Sequence, residues 1–204
     1  MKDTLLIEMQ YCGSIAYFQK LLQYKEVVFE REEYFEKASY RNRCVVVGPN
    51  GLQNLSVQIK NGRAKKQLYK DVKIAYEHRW HNIHWQTLTS NYRSSPYFEF
   101  YEDYFEPFFK NEYGSLFEFN FELFKVLNKL LNLDIKYSLT KEFKKMPAEN
   151  IDDFRSYFIP KNKSIEFINK EYIQVFSSKI GFFPNLSILD LLFCEGPNAI
   201  SFLK

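Results

Sequence analysis

Leu5-Leu6-Ile7, then Ile15, Phe18, Leu21 and Leu22, then Val27-Val28-Phe29 decide the fold of this chain. The first run is short and continuously apolar, as a buried strand is. The middle residues recur at helical spacing, and the third run returns to strand character. A period that switches from strand to helix and back over residues Leu5 to Val28 predicts a β-α-β unit. Working outward, Arg43-Cys44-Val45-Val46-Val47 and Leu55-Ser56-Val57-Gln58-Ile59 flank Gly48-Pro49-Asn50-Gly51. Asn-Gly between apolar runs is a strong hairpin signal, so residues 43–59 are expected to pair and to turn at Asn50-Gly51. Asn61 to Lys66 reads as an exposed loop and Val72-Lys73-Ile74 as a short strand.

From Glu77 the pattern is helical to about residue 132 and rich in aromatic side chains. Trp80, His84 and Leu88 share a face of the first helix; Ser95 and Pro96 suit the cap and first turn of a second, which Pro107 should kink or end. Ser115 with Glu118 has capping-box spacing ahead of Leu116, Asn120, Leu123, Leu127 and Leu130. A strand is expected at Ile135, Tyr137 and Leu139, then a polar surface excursion from Lys141 to Ser164. Ser187 with Asp190 repeats the cap spacing before Ile188 to Phe193, and Gly196-Pro197 ends that helix. The sequence therefore predicts one α/β domain over 1–204: a β-α-β core, an inserted β-hairpin and an aromatic-rich helical lobe at about 77–132.

The composition fits that class. The 204 residues include 21 Phe, 15 Tyr and 2 Trp, and a chain of this size can bury about 70% of its surface. Twenty-eight basic against 25 acidic side chains give a net charge of +3. Such a balance argues against binding nucleic acid by phosphate neutralisation. No apolar run is long enough for a membrane span or the core of a signal peptide, and Cys12, Cys44 and Cys194 are odd in number and widely spaced, so the cytoplasm is the expected compartment and the thiols are expected to be buried.

Candidate chemistry is sparse. His78, His81 and His84 stand three apart, a spacing that aims the outer two about 120° from one another on a helix, so no metal site is expected. His84, beside Trp85, could serve as an acid or base, or simply pack. Arg41, Asn42 and Arg43 offer two guanidinium groups and an amide at a loop-to-strand junction, suited to phosphate or carboxylate, or to nothing more than a solvated edge. Gln174 and Asn185 are amides in apolar surroundings, either structural pins or ligand readers. Signatures of phosphate-binding loops, dinucleotide folds and serine hydrolases are missing from the sequence.

Several blocks together resemble the WbqC-like family of bacterial proteins. They are Ala16-Tyr17-Phe18, Ser39-Tyr40-Arg41-Asn42-Arg43, His84-Trp85, Ser94-Ser95-Pro96-Tyr97-Phe98, Gln174-Val175-Phe176, and the long run from Gly181 to Phe193 with Glu195-Gly196-Pro197. The likeness extends from Leu5 to Leu203, although Tyr11-Cys12-Gly13-Ser14 stands where family members carry prolines. The resemblance implies a cytoplasmic protein of bacterial surface-polysaccharide (O-antigen) biosynthesis, with glycyl or other aminoacyl transfer to a nucleotide-linked amino sugar as the suggested reaction. On that view His84 is the catalytic base, and Arg41, Asn42, Arg43, Trp85, Tyr97, Gln174 and Asn185 line one pocket for a sugar or nucleotide sugar. No cofactor is implied, and a homodimer is left open. The other reading is a non-catalytic module that binds a glycan precursor or scaffolds pathway enzymes through the aromatic surface of Tyr97, Phe98 and Tyr101.

Overall fold

A computed structural model describes residues 3–60 and 66–204. Strand β1 (Thr4–Glu8), helix α1 (Ile15–Leu21) and strand β2 (Glu26–Glu30) form the expected unit, with β1 and β2 parallel and Leu5 facing Val27 in register. Hairpin strands β3 (Arg43–Gly48) and β4 (Gly51–Ser56) follow. Gly48 pairs with Gly51, so the loop is Pro49-Asn50, one residue earlier than the Asn-Gly signal indicates; Gly51 itself takes the positive φ of 112°. Of the loop expected at Asn61 to Lys66, residues 61–65 lie outside those described. Val72 to Ile74 is not a strand: a 3-10 turn at Tyr69–Asp71 precedes it, and among the described residues it forms a single isolated bridge, Ile59 to Ile74.

The helical lobe comprises α2 (Trp80–Tyr92), α3 (Phe98–Lys110) and α4 (Leu116–Leu130). Helix α2 starts three residues later than the periodicity indicates, because Arg79 is held in the left-handed region (φ 47°) and breaks the helical run, so His78 sits in the preceding turn. Ser95 does not cap α3. Its hydroxyl donates to the Tyr92 carbonyl, closing α2, and α3 opens at Tyr97. Pro107 neither ends nor interrupts α3, which runs on to Lys110; the residue removes one helical donor while Asn111 N–H still reaches the Pro107 carbonyl. On α4 the Ser115 hydroxyl accepts from Glu118 N–H as read from the sequence.

Strand β5 (Tyr137–Leu139) joins β2, and β6 (Ile151–Asp153), inside the supposed surface excursion, joins β1. The result is a four-stranded parallel sheet in the order β5-β2-β1-β6. Helices α5 (Ser177–Ile180), α6 (Ile188–Glu195) and α7 (Ile200–Leu203) complete the chain. One hydrophobic core runs from the sheet through α1 and α6 into the lobe, with Phe29, Phe98, Phe105, Phe119 and Phe193 among its fully buried rings.

The carboxyl ends of the strands meet in one ionic network. Glu8 and Glu30 end β1 and β2 in register and are both buried. Arg155, just beyond β6, donates to Glu30 at 3.2 Å and grips Asp153, while Thr140, just beyond β5, donates to Glu30 at 2.7 Å. The Ser156 amide donates to Glu8 at 2.9 Å. Each of the four strands of the parallel sheet is thereby tied to its neighbours at the end where open α/β sheets present their ligands.

Candidate functional site

Beyond β1 the chain turns through Met9 to Ser14 into α1, and this turn is laced to the block ahead of α6. Ser187 N–H donates to the Val45 carbonyl at 2.8 Å, Ile188 N–H to Gly13 at 2.9 Å, and the Ser187 hydroxyl to Cys12 at 2.7 Å. The first amides of α1 are taken internally: Ile15 N–H by Leu186, Ala16 N–H by the Asn185 side chain at 2.8 Å, and Tyr17 N–H by Ser14. Between these pieces lies a narrow cleft lined by Gly13, Ser14, Tyr40, Arg43, Cys44 and Asn185 among others, with a volume of about 10 Å³, enough for one water. Two of its lining residues, Cys12 (φ 43°) and Asn185 (φ 56°), hold left-handed backbone without being glycine. Such strain collects where a structure over-determines a site.

Arg43 supplies the charge. The half-buried residue has no carboxylate within ion-pair distance among the described residues, and its guanidinium acts on the Tyr40 phenol, partly opposing the rise in pKa that burial causes. The two thiols here are unreactive, since burial pushes Cys44 up to about 12 and Cys12 well above its ordinary value. The cleft can therefore accept one anionic oxygen between Arg43, Tyr40 and the Ser14 hydroxyl, the Ser187 hydroxyl being already committed to Cys12. It offers no thiolate nucleophile.

Arg41, two residues earlier, is different. It is completely buried, its Nε donates to Glu33 at 3.1 Å and a second nitrogen grips the same carboxylate, while Nη1 reaches Glu36 at 3.4 Å. The shared phosphate grip expected of Arg41 and Arg43 is thus divided: one guanidinium is neutralised by acids in the ionic network, the other is free. Burial raises Glu8 and Glu33 above the usual carboxylate range, against the lowering pull of Arg41.

The remaining sequence candidates are distributed over several places. Asn42 donates to the Val57 carbonyl at 3.0 Å and lines a separate shallow depression with Phe35 and Gln58. His84 is buried in the lobe, its Nδ1 3.0 Å from the Tyr11 hydroxyl and its ring against Trp80, and desolvation lowers its pKa from 6.5 to about 4, with the Ser56 carbonyl opposing. Trp85 stacks on Phe109 at 5.6 Å. Tyr97 and Gln174 do meet, in a larger cleft of about 490 Å³ with Ser94, Ile173 and Glu195. The Gln174 amide is a pin as well, exchanging bonds of 2.8 and 2.9 Å with the Phe183 backbone and reaching Asp190 at 3.2 Å. No group of three or more metal-ligating side chains is placed to hold an ion among the described residues.

Sequence reasoning passed over Glu8, Glu30, Glu33 and Arg155. A signal existed: the first two strands each close an apolar run with glutamate, Leu5-Leu6-Ile7-Glu8 and Val27-Val28-Phe29-Glu30, and in a parallel sheet those acids must become neighbours.

Fold and clefts together define an α/β protein with a small polar site beyond its first strand and an aromatic lobe packed behind it. The chain belongs to the WbqC-like protein family, whose family model matches residues 10–156. The blocks Gln174–Phe176 and Gly181–Pro197 fall beyond the matched residues, so they contribute to the site through the structure alone. Neither a curated protein nor a solved structure matches the chain significantly. Among the described residues no helix is long and apolar enough to cross a membrane.

Proposed function

We propose that the chain is a transferase of bacterial surface-polysaccharide assembly, carrying an aminoacyl group to the amine of a nucleotide-linked amino sugar. In this scheme the amine nitrogen attacks the acyl carbon of an activated donor, the new N–C bond forms as the donor's leaving-group bond breaks, and the amine proton departs to solvent. The observation that supports it is Arg43: an unneutralised guanidinium facing a strained cleft beyond the first parallel strand, where a phosphate oxygen can be held at the mouth while the sugar lies outside. Titration of a nucleoside-diphosphate amino sugar tests the grip. Loss of one charge-assisted phosphate contact is worth about 1.5–3 kcal/mol, so Arg43→Ala should weaken binding at least about tenfold. Unchanged affinity in the folded variant would remove the support.

A non-catalytic glycan-binding role is favoured by one observation, the seclusion of His84 in the lobe with its ring held neutral against Tyr11. Mass spectrometry of the amino sugar after incubation with an activated aminoacyl donor separates the two readings. The transferase reading requires the added aminoacyl mass, and binding without any mass change selects the module.

A further inference from the structure

The larger cleft has a charge character opposite to that of the Arg43 site. It opens between the turn after α2, the extended segment Ile173–Val175 and the last turn of α6, and its volume of about 490 Å³ lies in the range of small-molecule sites. One wall is a fixed aromatic plate. Tyr97 is anchored through its N–H to the Phe193 carbonyl at 3.1 Å, and its ring backs so closely on Gly196 that a Cβ there would lie 2.4 Å from Cδ1. Ile173, 82% exposed, supplies an apolar edge. The floor is rigid and its acceptors are already used: Gln174 is bound to Phe183, and the Asp190 carboxylate below it accepts from Tyr92 at 2.7 Å and Tyr172 at 2.6 Å.

Glu195 is the one charged side chain among the lining residues. Asn198 donates to one of its oxygens at 3.2 Å, and no cation pairs with it among the described residues. As the last residue of α6 it also stands at the negative end of the helix. The local field therefore repels phosphate and attracts an ammonium.

We propose that this cleft is a second, separate site that binds the ring of an amino sugar, its carbon face against Tyr97 and its protonated amine at Glu195. The size admits a monosaccharide, the plate suits the apolar face of a pyranose, and the charge selects an amine over an acid. Ligand-observed NMR with free glucosamine, held below the pKa of its amine, tests the assignment. Glucosamine should bind the wild type, and Glu195→Gln should weaken it about fivefold, the scale of one partly exposed ion pair. Ile173→Ser, an exposed position that leaves the core untouched, should also weaken it, whereas glucose 1-phosphate should not displace bound glucosamine. Arg43→Ala should leave glucosamine binding unchanged, so a failure of the phosphate site and a failure of this one are distinguishable. Absence of glucosamine binding to the wild type, equal binding by Glu195→Gln, or displacement of bound glucosamine by glucose 1-phosphate would overturn the proposal.

Discussion

Arg41 and Arg43 stand two residues apart, yet one is an internal counter-ion and the other faces a cleft. Alternation explains the split only in part. Arg41 lies before β3 starts, where its carbonyl accepts from Asn120 of α4 and its guanidinium is drawn into the acids beyond β1 and β2. Removing a buried guanidinium leaves its carboxylates without a partner, a loss of about 3–5 kcal/mol, whereas truncating a half-buried, unpaired arginine changes stability by about 0.5 kcal/mol or less. Urea unfolding should therefore rank Arg41→Ala far below Arg43→Ala in stability. Equal midpoints would mean that the Arg41 pairs are energetically idle. The sequence shows that both arginines exist, but which one is free depends on Glu33, Glu36 and Glu8, and those acids reach Arg41 only after β1 and β2 pair.

Elements were legible in the sequence wherever their own side chains pattern them. β1, α1, β2 and α4 carry apolar periods that survive folding, and the hairpin forms as well, with its turn one residue earlier and its second strand, Gly51–Ser56, ending before Ile59. β6 does not: Ile151-Asp152-Asp153 is three residues with one apolar side chain, recruited to the sheet edge by backbone pairing with β1 and by Tyr24 donating to Asp152 at 2.9 Å. The Ser95-Pro96 signal failed for a related reason, since the serine hydroxyl found a partner behind it in the Tyr92 carbonyl rather than ahead. At Gly196 the need for glycine is double: φ is 52°, and the Tyr97 ring occupies the space of a side chain. Gly196→Ala should cost about 2 kcal/mol from the left-handed backbone alone, with added loss as Tyr97 is displaced. Gly114→Ala is the control, because its Cβ would meet only Glu118 at an ordinary 3.5 Å. Thermal unfolding should show a clear drop for the first and little change for the second; matching melting temperatures would show that the Tyr97 wall relaxes freely.

The molecule as a whole is joined where the turn after β1 meets the lobe, and His84 sits at that joint between Tyr11, Trp80 and Phe109. Its seclusion has a consequence for stability across pH. The folded ring takes a proton only near pH 4, while the unfolded ring takes one near 6.5. Between those values the unfolded chain binds the extra proton, so stability is fully present above 6.5 and falls as pH drops toward 4. The difference amounts to about 3 kcal/mol at the acid end of the window. Glu8, Glu33 and Asp190 contribute with the opposite sign, because burial raises their folded pKa values and their stabilising contribution is lost as pH rises through them. Comparing wild type with His84→Gln cancels that carboxyl background. Denaturant unfolding of the wild type should lose about 3 kcal/mol more than the variant between pH 6.5 and pH 4. In the folded wild type the imidazole proton resonances should keep their neutral positions down to about pH 4. Parallel stability curves, or a ring that titrates near 6.5 in the folded protein, would mean that water reaches His84 and would return it to consideration as a working acid or base.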